Sequence, residues 1–294
     1  MLCNLCPHNC NVDRIKQMGV CGAPADFKVA HAMIHHWEEP CISGDKGSGA
    51  IFFSGCNLKC VYCQNFQISQ QGQGKIIDSS KLLTLCSKLK AQGALNINLI
   101  TPTPYTDLLI KILPEIKKQT GLPIIWNSNA YEKIETLKQL DGLVDVYLPD
   151  FKYFDDDLAI KYSQAPNYFK IALSAIKEMV RQTGKVKLDK NGFIKKGVII
   201  RHLILPGQIE DTKKILAAIK DNFEYDVYLS LMAQYYPAYL AEQYPEINRK
   251  LTLEEYNEVK DYFESLKFSG GYFQELESAD KNYTPKFDIH SIEK

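Results

Sequence analysis

The chain has 294 residues, of which 45% are hydrophobic and 24% are charged, a composition typical of a globular protein with one large domain. Its 35 basic and 35 acidic residues balance, which gives no electrostatic reason to expect a nucleic acid or a membrane as a partner. Cysteines and polar residues interrupt the first 20 positions, and no apolar run approaches the roughly 18 residues of a membrane span, so we expect a cytoplasmic protein without a signal peptide.

A Gly- and Ser-rich stretch at residues 43–49 divides the chain near residue 48, because it offers no apolar side chains to bury. We therefore predict three parts. They are a cysteine-rich, metal-binding extension at 1–47, a core of repeated βα units at 48–240, and a C-terminal helix with a closing segment at 241–294.

Beyond residue 48, short apolar runs alternate with segments of helical period, the pattern expected of βα units around a parallel sheet. The predicted strands are 50–54, 95–100, 123–126, 144–148, 198–203 and 227–231. The predicted helices are 79–92, 105–119, 132–140, 156–164, 168–182, 211–222 and 252–266. An Asn-Gly pair predicts a hairpin between 185–188 and 193–195, and 272–276 is a further candidate strand. This alternation predicts the α/β class.

Polar residues follow several predicted strands at their carboxyl ends, where parallel α/β proteins collect their ligands. They are Thr101, Thr103, Asn127, Asn129, Asp150 and Lys152. Arg201 and His202 lie inside the fifth strand, where alternation puts them on opposite faces. Shared parity with Ile199 and Leu203 favours Arg201 pointing inward, and a solvent-covered salt bridge is the equal alternative. We assign no role to His202.

Eight of the nine cysteines lie in the first 63 residues, which in a reducing compartment indicates metal binding rather than disulfides. Cys56, Cys60 and Cys63 form a CxxxCxxC loop directly after the first predicted strand. Closed structural zinc and cluster sites take four protein ligands, so three thiolates predict a metal with an open position. The alternative, a zinc knuckle, lacks a nearby fourth ligand, since neither Cys nor His lies between Cys63 and Cys86.

This loop, with Tyr62 before its last cysteine and six βα repeats behind it, resembles the radical S-adenosylmethionine superfamily. The resemblance implies a partial TIM-type (βα)6 barrel and a 4Fe-4S cluster held by the catalytic residues Cys56, Cys60 and Cys63. It implies that the open iron binds S-adenosylmethionine, and that a reducing partner such as flavodoxin or ferredoxin drives cleavage to a hydrogen-abstracting 5′-deoxyadenosyl radical. Tyr62, against the adenine, and Asn65 are the implied cofactor-binding residues of the loop.

Further segments resemble the branch that contains the pyruvate formate-lyase activating enzymes, and most closely its PflX-like relatives. They are residues 3–7, 38–40, 47–49, 63–65, 149–152, 201–207 and 232–237. In that branch Asp150 and Lys152 would lie beside the methionine part of the cofactor, although an ordinary surface ion pair is the alternative. Arg201 is a further candidate for cofactor binding.

One departure from the family concerns the segment after the second strand. Many such enzymes place Gly-Gly-Glu there for the methionyl amine, whereas this chain has Thr101 and Thr103 in a Thr-Pro-Thr-Pro run. Their oxygens accept hydrogen bonds but carry no charge. Asn127 and Asn129 are candidates for contact with ribose or substrate, with a role in turn formation as the alternative.

The extension carries its own set of cysteines, Cys3, Cys6, Cys10 and Cys21. Four thiolates make a closed site, which predicts either structural zinc or a second iron-sulfur cluster. His8 and Cys41 are alternative ligands, and free thiols are the remaining interpretation. Cys86 is expected in the core.

The resemblance implies an anaerobic enzyme that activates a glycyl radical enzyme. Because the simplest activating enzymes lack an N-terminal cysteine set, a radical enzyme acting on a small molecule or a peptide is an alternative, as is a zinc-stabilised scaffold without activity. Tyr235, Tyr236 and residues 273–275 are candidates to close the site over a substrate.

Overall fold

The computed structural model describes residues 2–223, 226–279, 287 and 292. Its strands are β1 (Phe27–His35), β2 (Ser48–Phe53), β3 (Lys75–Ile77), β4 (Ile97–Ile100), β5 (Ile124–Ser128), β6 (Val146–Pro149), β7 (Lys187–Leu188), β8 (Ile194–Leu203), β9 (Tyr228–Met232) and β10 (Gly271–Phe273). Its helices are α1 (Pro40–Ser43), α2 (Phe66–Ser69), α3 (Ser79–Ala91), α4 (Thr106–Thr120), α5 (Ile134–Leu137), α6 (Asp156–Ser163), α7 (Tyr168–Thr183), α8 (Ile209–Phe223) and α9 (Leu253–Leu266).

The six strands predicted from the sequence, now β2, β4, β5, β6, β8 and β9, are neighbours in one sheet and all run parallel. The sheet does not close: β3 ends one edge and β10 the other. The fold prediction is therefore confirmed, because an open parallel sheet of six βα units is a partial TIM-type barrel. Every residue of β2 is buried, as expected for a strand covered on both faces.

Two strands were not predicted. β1 pairs antiparallel with β2, and β3 pairs antiparallel with β1, so both extend the sheet beyond the parallel strands. β1 lies within the segment predicted as the extension, and the predicted boundaries near residues 48 and 241 stay a prediction. Because β1 runs opposite to β2, the loop that follows β1 lies at the amino-terminal ends of the parallel strands.

The helices form where capping and apolar spacing favour them. Asp78 caps α3 by accepting a hydrogen bond from the Lys81 amide, and Cys86 lies on the buried face of this helix, as expected. Thr252 and Glu255 form a reciprocal capping box at the start of α9. None of the helices in the described part of the chain is both long and apolar enough to cross a membrane.

Candidate active site

A cavity of about 450 Å³ lies where the parallel strands end, and Trp37, whose exposed fraction is 66%, is part of its lining. Predicted site residues on its wall are Cys56, Cys60, Tyr62, Cys63, Asn65, Thr101, Asn127, Asn129, Asp150, Lys152 and Arg201. Thr103 is not on the wall. Its hydroxyl instead donates to the buried carboxylate of Glu132 at 2.8 Å.

The backbone of the cysteine loop is held by two other segments. The Cys56 amide donates to the carbonyl of Cys21 at 3.1 Å, and the amides of Lys59 and Val61 donate to the last carbonyls of α6 at 2.9 and 2.8 Å. The loop turns at Gly55, whose φ of +84° belongs to the left-handed region. A Cβ at Gly55 would lie 2.7 Å from the Cys21 carbonyl oxygen, so glycine is required there.

Each sulfur of the loop has a polar neighbour. The Asn129 side-chain amide donates to the sulfur of Cys56 at 3.4 Å, the Ser163 hydroxyl donates to that of Cys60 at 3.0 Å, and the Ser69 hydroxyl lies 3.2 Å from that of Cys63. Burial raises the pKa of Cys56 to about 12 and that of Cys63 to about 11, which favours the protonated thiols when no metal is bound.

Three soft sulfur donors with hydrogen-bond donors around them fit an iron-sulfur cluster, since such bonds stabilise the charge on cluster sulfurs. No three Cys, His, Asp or Glu side chains among the described residues are already arranged around one metal position, in either group of cysteines.

A chain of hydroxyl groups leads from Tyr62 to the cysteine loop. The Tyr62 and Tyr153 oxygens are 2.5 Å apart, and the Tyr153 oxygen is 2.6 Å from that of Ser163. Because Ser163 donates to the sulfur of Cys60, it accepts from Tyr153, which in turn accepts from Tyr62. All three hydroxyls thus point toward one sulfur, an arrangement in which each bond polarises the next.

A buried ion network lies deeper in the cavity around Arg201. Its guanidinium donates to Asp150 at 2.9 Å, to Glu38 at 3.3 Å and to the side-chain oxygen of Asn127 at 2.7 Å. Lys152 pairs with the other oxygen of Asp150 at 2.8 Å. The inward orientation that strand parity favours for Arg201 is the one observed.

Charge in this network is set by burial against pairing. Burial alone would raise the pKa of Asp150, but Arg201 and Lys152 outweigh it and lower that pKa, so Asp150 stays ionised. Burial likewise opposes the charge of Lys152, yet Asp150 raises its pKa. For Glu38 burial dominates over Arg201 and raises the pKa, so this carboxyl group holds a proton more readily than an exposed glutamate.

The cavity is also lined by Glu38, His35 and Trp37, which the sequence patterns did not predict as site residues. Glu38 accepts a hydrogen bond from the side chain of Asn98 at 2.9 Å as well as from Arg201. These residues come from the end of β1 and the loop after it, at the amino-terminal ends of the parallel strands. In the sequence, Glu38 could be found only through the Glu-Glu-Pro segment at 38–40, which is one of the segments that carry the family resemblance.

Three other residues singled out from the sequence, His202, Cys41 and Tyr235, lie away from the cavity wall. His202 is buried between the Phe151 carbonyl at 2.7 Å and the Thr212 hydroxyl at 3.0 Å. Cys41 is buried and hydrogen-bonded to Tyr272. Tyr235 is buried with its hydroxyl on the Ile247 carbonyl, whereas Gln274 of the predicted closing segment lines the cavity.

Comparison with known proteins gives a consistent result. The sequence matches the family model of the Radical SAM superfamily over residues 50–219. It is 35% identical over 262 residues to "Uncharacterized protein MJ0674" of Methanocaldococcus jannaschii, an alignment that covers 86% of this chain and 71% of that protein.

Three solved structures share the fold. Streptococcus suis SuiB bound to S-adenosylmethionine aligns with a TM-score of 0.51 and 14% identity, over 76% of this chain and 49% of SuiB. Methylornithine synthase (PylB) gives a TM-score of 0.51 and 15% identity, over 74% of this chain and 68% of that chain. The FeFe-hydrogenase maturase HydG from Carboxydothermus hydrogenoformans aligns with a TM-score of 0.51 and 12% identity, over 79% of this chain and 59% of HydG. This chain thus spans about half the length of SuiB, and these likenesses concern the fold alone.

The family model covers the strand that precedes the cysteine loop, the loop itself and the barrel strands through β8. Membership implies a 4Fe-4S cluster and S-adenosylmethionine as cofactors. The chain belongs to the radical S-adenosylmethionine superfamily and is an enzyme of that kind.

Proposed function

We propose that Cys56, Cys60 and Cys63 hold a 4Fe-4S cluster and that S-adenosylmethionine binds beside it in the same cavity. The observation that carries this proposal is the convergence of three thiols, each with a polar neighbour, on a cavity whose wall also carries Asp150 and Lys152. When bound, the reduced cluster and S-adenosylmethionine supply a 5′-deoxyadenosyl radical that abstracts hydrogen.

The residues of this chain bind and orient the cofactor. Lys152 is a cation near the sulfurs of Cys60 and Cys63, where it favours their thiolate forms. Asp150 provides the negative charge that the Thr101 hydroxyl cannot supply, and an ionised carboxylate is a strong acceptor for an ammonium group. We assign the methionine part of the cofactor to Asp150, Lys152 and Thr101, and its adenosine part to Tyr62, Asn65, Asn127 and Asn129.

Arg201 acts on the cofactor through its partners. It holds Asp150 ionised and fixes the side chain of Asn127. We therefore treat Arg201 as a positioning residue. Thr103, with its hydroxyl committed to Glu132, is assigned the same kind of role, supporting the turn between β4 and α4.

The binding test uses electron paramagnetic resonance of the reduced, anaerobically reconstituted protein. Adding S-adenosylmethionine should change the cluster spectrum of the wild type. In Asp150→Asn the affinity for the cofactor should fall about tenfold, the effect of losing roughly 1.4 kcal/mol from one charge-assisted contact. A spectrum that does not respond to S-adenosylmethionine would contradict the proposal.

We propose further that the substrate is a peptide or a loop of a partner protein, which enters the cavity from outside. A volume of about 450 Å³ suits roughly one drug-sized ligand, so cofactor and substrate do not both fit deep inside. This favours a glycyl radical enzyme or a peptide over a free small molecule. Anaerobic incubation with candidate glycyl radical enzymes should yield a stable glycyl radical signal, and its absence with every candidate would favour small-molecule chemistry.

A further inference from the structure

The four cysteines of the N-terminal cysteine segment (residues 3–22) lie close together. The Asn11 amide donates to the Cys3 carbonyl at 2.9 Å, and the Asn9 amide donates to the Cys6 carbonyl at 3.1 Å, so the chain folds back between these cysteines. Cys21 directly follows Val20, whose amide is bonded to the sulfur of Cys10. These bonds bring all four cysteines into one small region.

The backbone of this segment bends around the sulfurs. The Val20 amide donates to the sulfur of Cys10 at 3.4 Å, and a Cβ at Gly19 would lie only 3.0 Å from that sulfur. Asn9 and Asn11, on either side of Cys10, both have positive φ angles. Tight turns that aim amides at sulfur are what a metal-bound thiolate requires, because amide hydrogen bonds stabilise its charge.

The segment also touches the loop of Cys56 at two points. The Cys21 carbonyl accepts a hydrogen bond from the Cys56 amide at 3.1 Å, and it lies where a Cβ on Gly55 would clash. The ring of His8 donates through Nε2 to the carbonyl of Asn57 at 2.6 Å. A ligand of the N-terminal site is thus bonded directly to a residue of the proposed cluster site.

The far side of the segment is anchored on the barrel. Arg14, with a largely buried side chain, forms an ion pair with Asp107 at 2.8 Å. The Thr136 hydroxyl donates to the Leu5 carbonyl at 2.8 Å. The segment therefore lies between the barrel wall and the cysteine loop, fixed to both.

We propose that Cys3, Cys6, Cys10 and Cys21 bind a thiophilic metal centre, zinc or an iron-sulfur cluster, and that this centre holds the Cys56 loop in its ligating conformation. The role of the loop rests on the proposed function above. Four thiolates close the coordination sphere, so this centre is structural toward the loop. Metal binding rigidifies residues 3–22 and thereby fixes the Cys21 carbonyl and the His8 ring against the loop.

Metal analysis of the anaerobically purified and reconstituted full chain tests whether the four N-terminal cysteines bind a metal. We expect about four irons with about one zinc per chain, or about eight irons if the N-terminal centre is a cluster. Cys10→Ser should remove the zinc, or about half of the iron. Cys60→Ala should keep the N-terminal metal, and Cys86→Ala, at a buried core thiol, serves as the control that changes neither.

Amide hydrogen exchange of residues 54–63 tests whether the N-terminal centre holds the Cys56 loop in place. In Cys10→Ser we expect exchange of this peptide about fivefold to tenfold faster than in the wild type, the scale of one lost hydrogen bond. His8→Ala keeps all four thiols, so it should retain its metal and still speed exchange near Asn57. His8→Ala therefore distinguishes loss of the contact between the N-terminal segment and the Cys56 loop from general unfolding.

Four irons without zinc in the wild type, all kept in Cys10→Ser and lost in Cys60→Ala, would overturn the N-terminal metal site. Unchanged exchange in both Cys10→Ser and His8→Ala would overturn its role in holding the Cys56 loop. Failure of the proposed function looks different. In that case Cys60→Ala would leave the iron content unchanged, while the response of Cys10→Ser would still report on the N-terminal site.

Discussion

Arg201 is a charged residue inside a buried parallel strand, and its stability depends on its partners. Its side chain is 15% exposed and is paired with Asp150 and Glu38. Replacing a buried ion-pair partner leaves the opposite charge uncompensated, which costs about 3 kcal/mol or more. Arg201→Gln should therefore lower the unfolding free energy by about 3 kcal/mol in anaerobic urea titrations.

Arg181 provides a matched control for that variant. It also pairs with two carboxylates, Asp141 and Glu178, but its side chain is 54% exposed. Water screens such pairs, so Arg181→Gln should change stability much less than Arg201→Gln. Equal losses for the two variants would show that the network around Arg201 is not effectively buried.

His202 gives the protein a pH dependence unrelated to metal binding. The Phe151 carbonyl can only accept, so Nδ1 of the ring carries the proton and Nε2 accepts from Thr212. Burial lowers the pKa of His202 to about 4, which means that protonation favours the unfolded chain. The contribution of neutral His202 to the free energy of unfolding is complete above pH 6.5 and declines as the pH falls from there toward 4.

The expected loss from His202 over this range is about 3 kcal/mol, at about 1.4 kcal/mol per pH unit. Chemical denaturation at a series of pH values measures it. In His202→Gln this component should vanish, so the stability curve should become less steep between pH 6.5 and 4. The slope that remains comes in part from His35, whose pKa burial also lowers to about 4. A curve for His202→Gln that runs parallel to that of the wild type would contradict the assignment.

At the scale of elements, the last turn of α6 positions the cysteine loop. Two of its carbonyls bind loop amides, and the Ser163 hydroxyl donates to the sulfur of Cys60. A donor to a cluster sulfur stabilises the reduced cluster, which carries more negative charge. Ser163→Ala should therefore lower the reduction potential, on the order of tens of millivolts, in a redox titration followed by electron paramagnetic resonance.

Tyr153→Phe interrupts the same hydroxyl chain one step earlier, so its shift should have the same sign and a smaller size. Ser174→Ala, at a half-buried serine on α7 whose hydroxyl donates to the Lys170 carbonyl, is the control and should leave the potential unchanged. A shift toward more positive potential in Ser163→Ala would mean that this hydroxyl does not donate to the cluster.

The elements also show why some structure was readable from the sequence and some was not. The six parallel strands are short, apolar and flanked by amphipathic helices, and these patterns predicted them. β1 escaped because an irregularity between Val29 and His31 breaks its alternation and because histidines interrupt its apolar residues. β3 has only three residues, too few for any periodicity.

For the whole molecule, topology decided which site residues were predictable. Residues at the carboxyl ends of parallel strands, such as Asp150 and Asn129, follow from a general rule of α/β folds. Glu38 contacts Arg201 from the loop after the antiparallel strand β1, at the opposite end of the sheet. The rule about carboxyl ends therefore could not predict it. Thr103 failed to reach the cavity wall because the turn after β4 directs its hydroxyl to Glu132.

The central claim is that this molecule cleaves S-adenosylmethionine at the Cys56 loop, and production of 5′-deoxyadenosine tests it most directly. Anaerobically reconstituted, reduced protein should release 5′-deoxyadenosine from S-adenosylmethionine. Cys60→Ala should abolish this release, while Cys86→Ala, at a buried core thiol, should retain it. A protein with a complete cluster that binds S-adenosylmethionine yet forms no 5′-deoxyadenosine with any reductant would contradict the account.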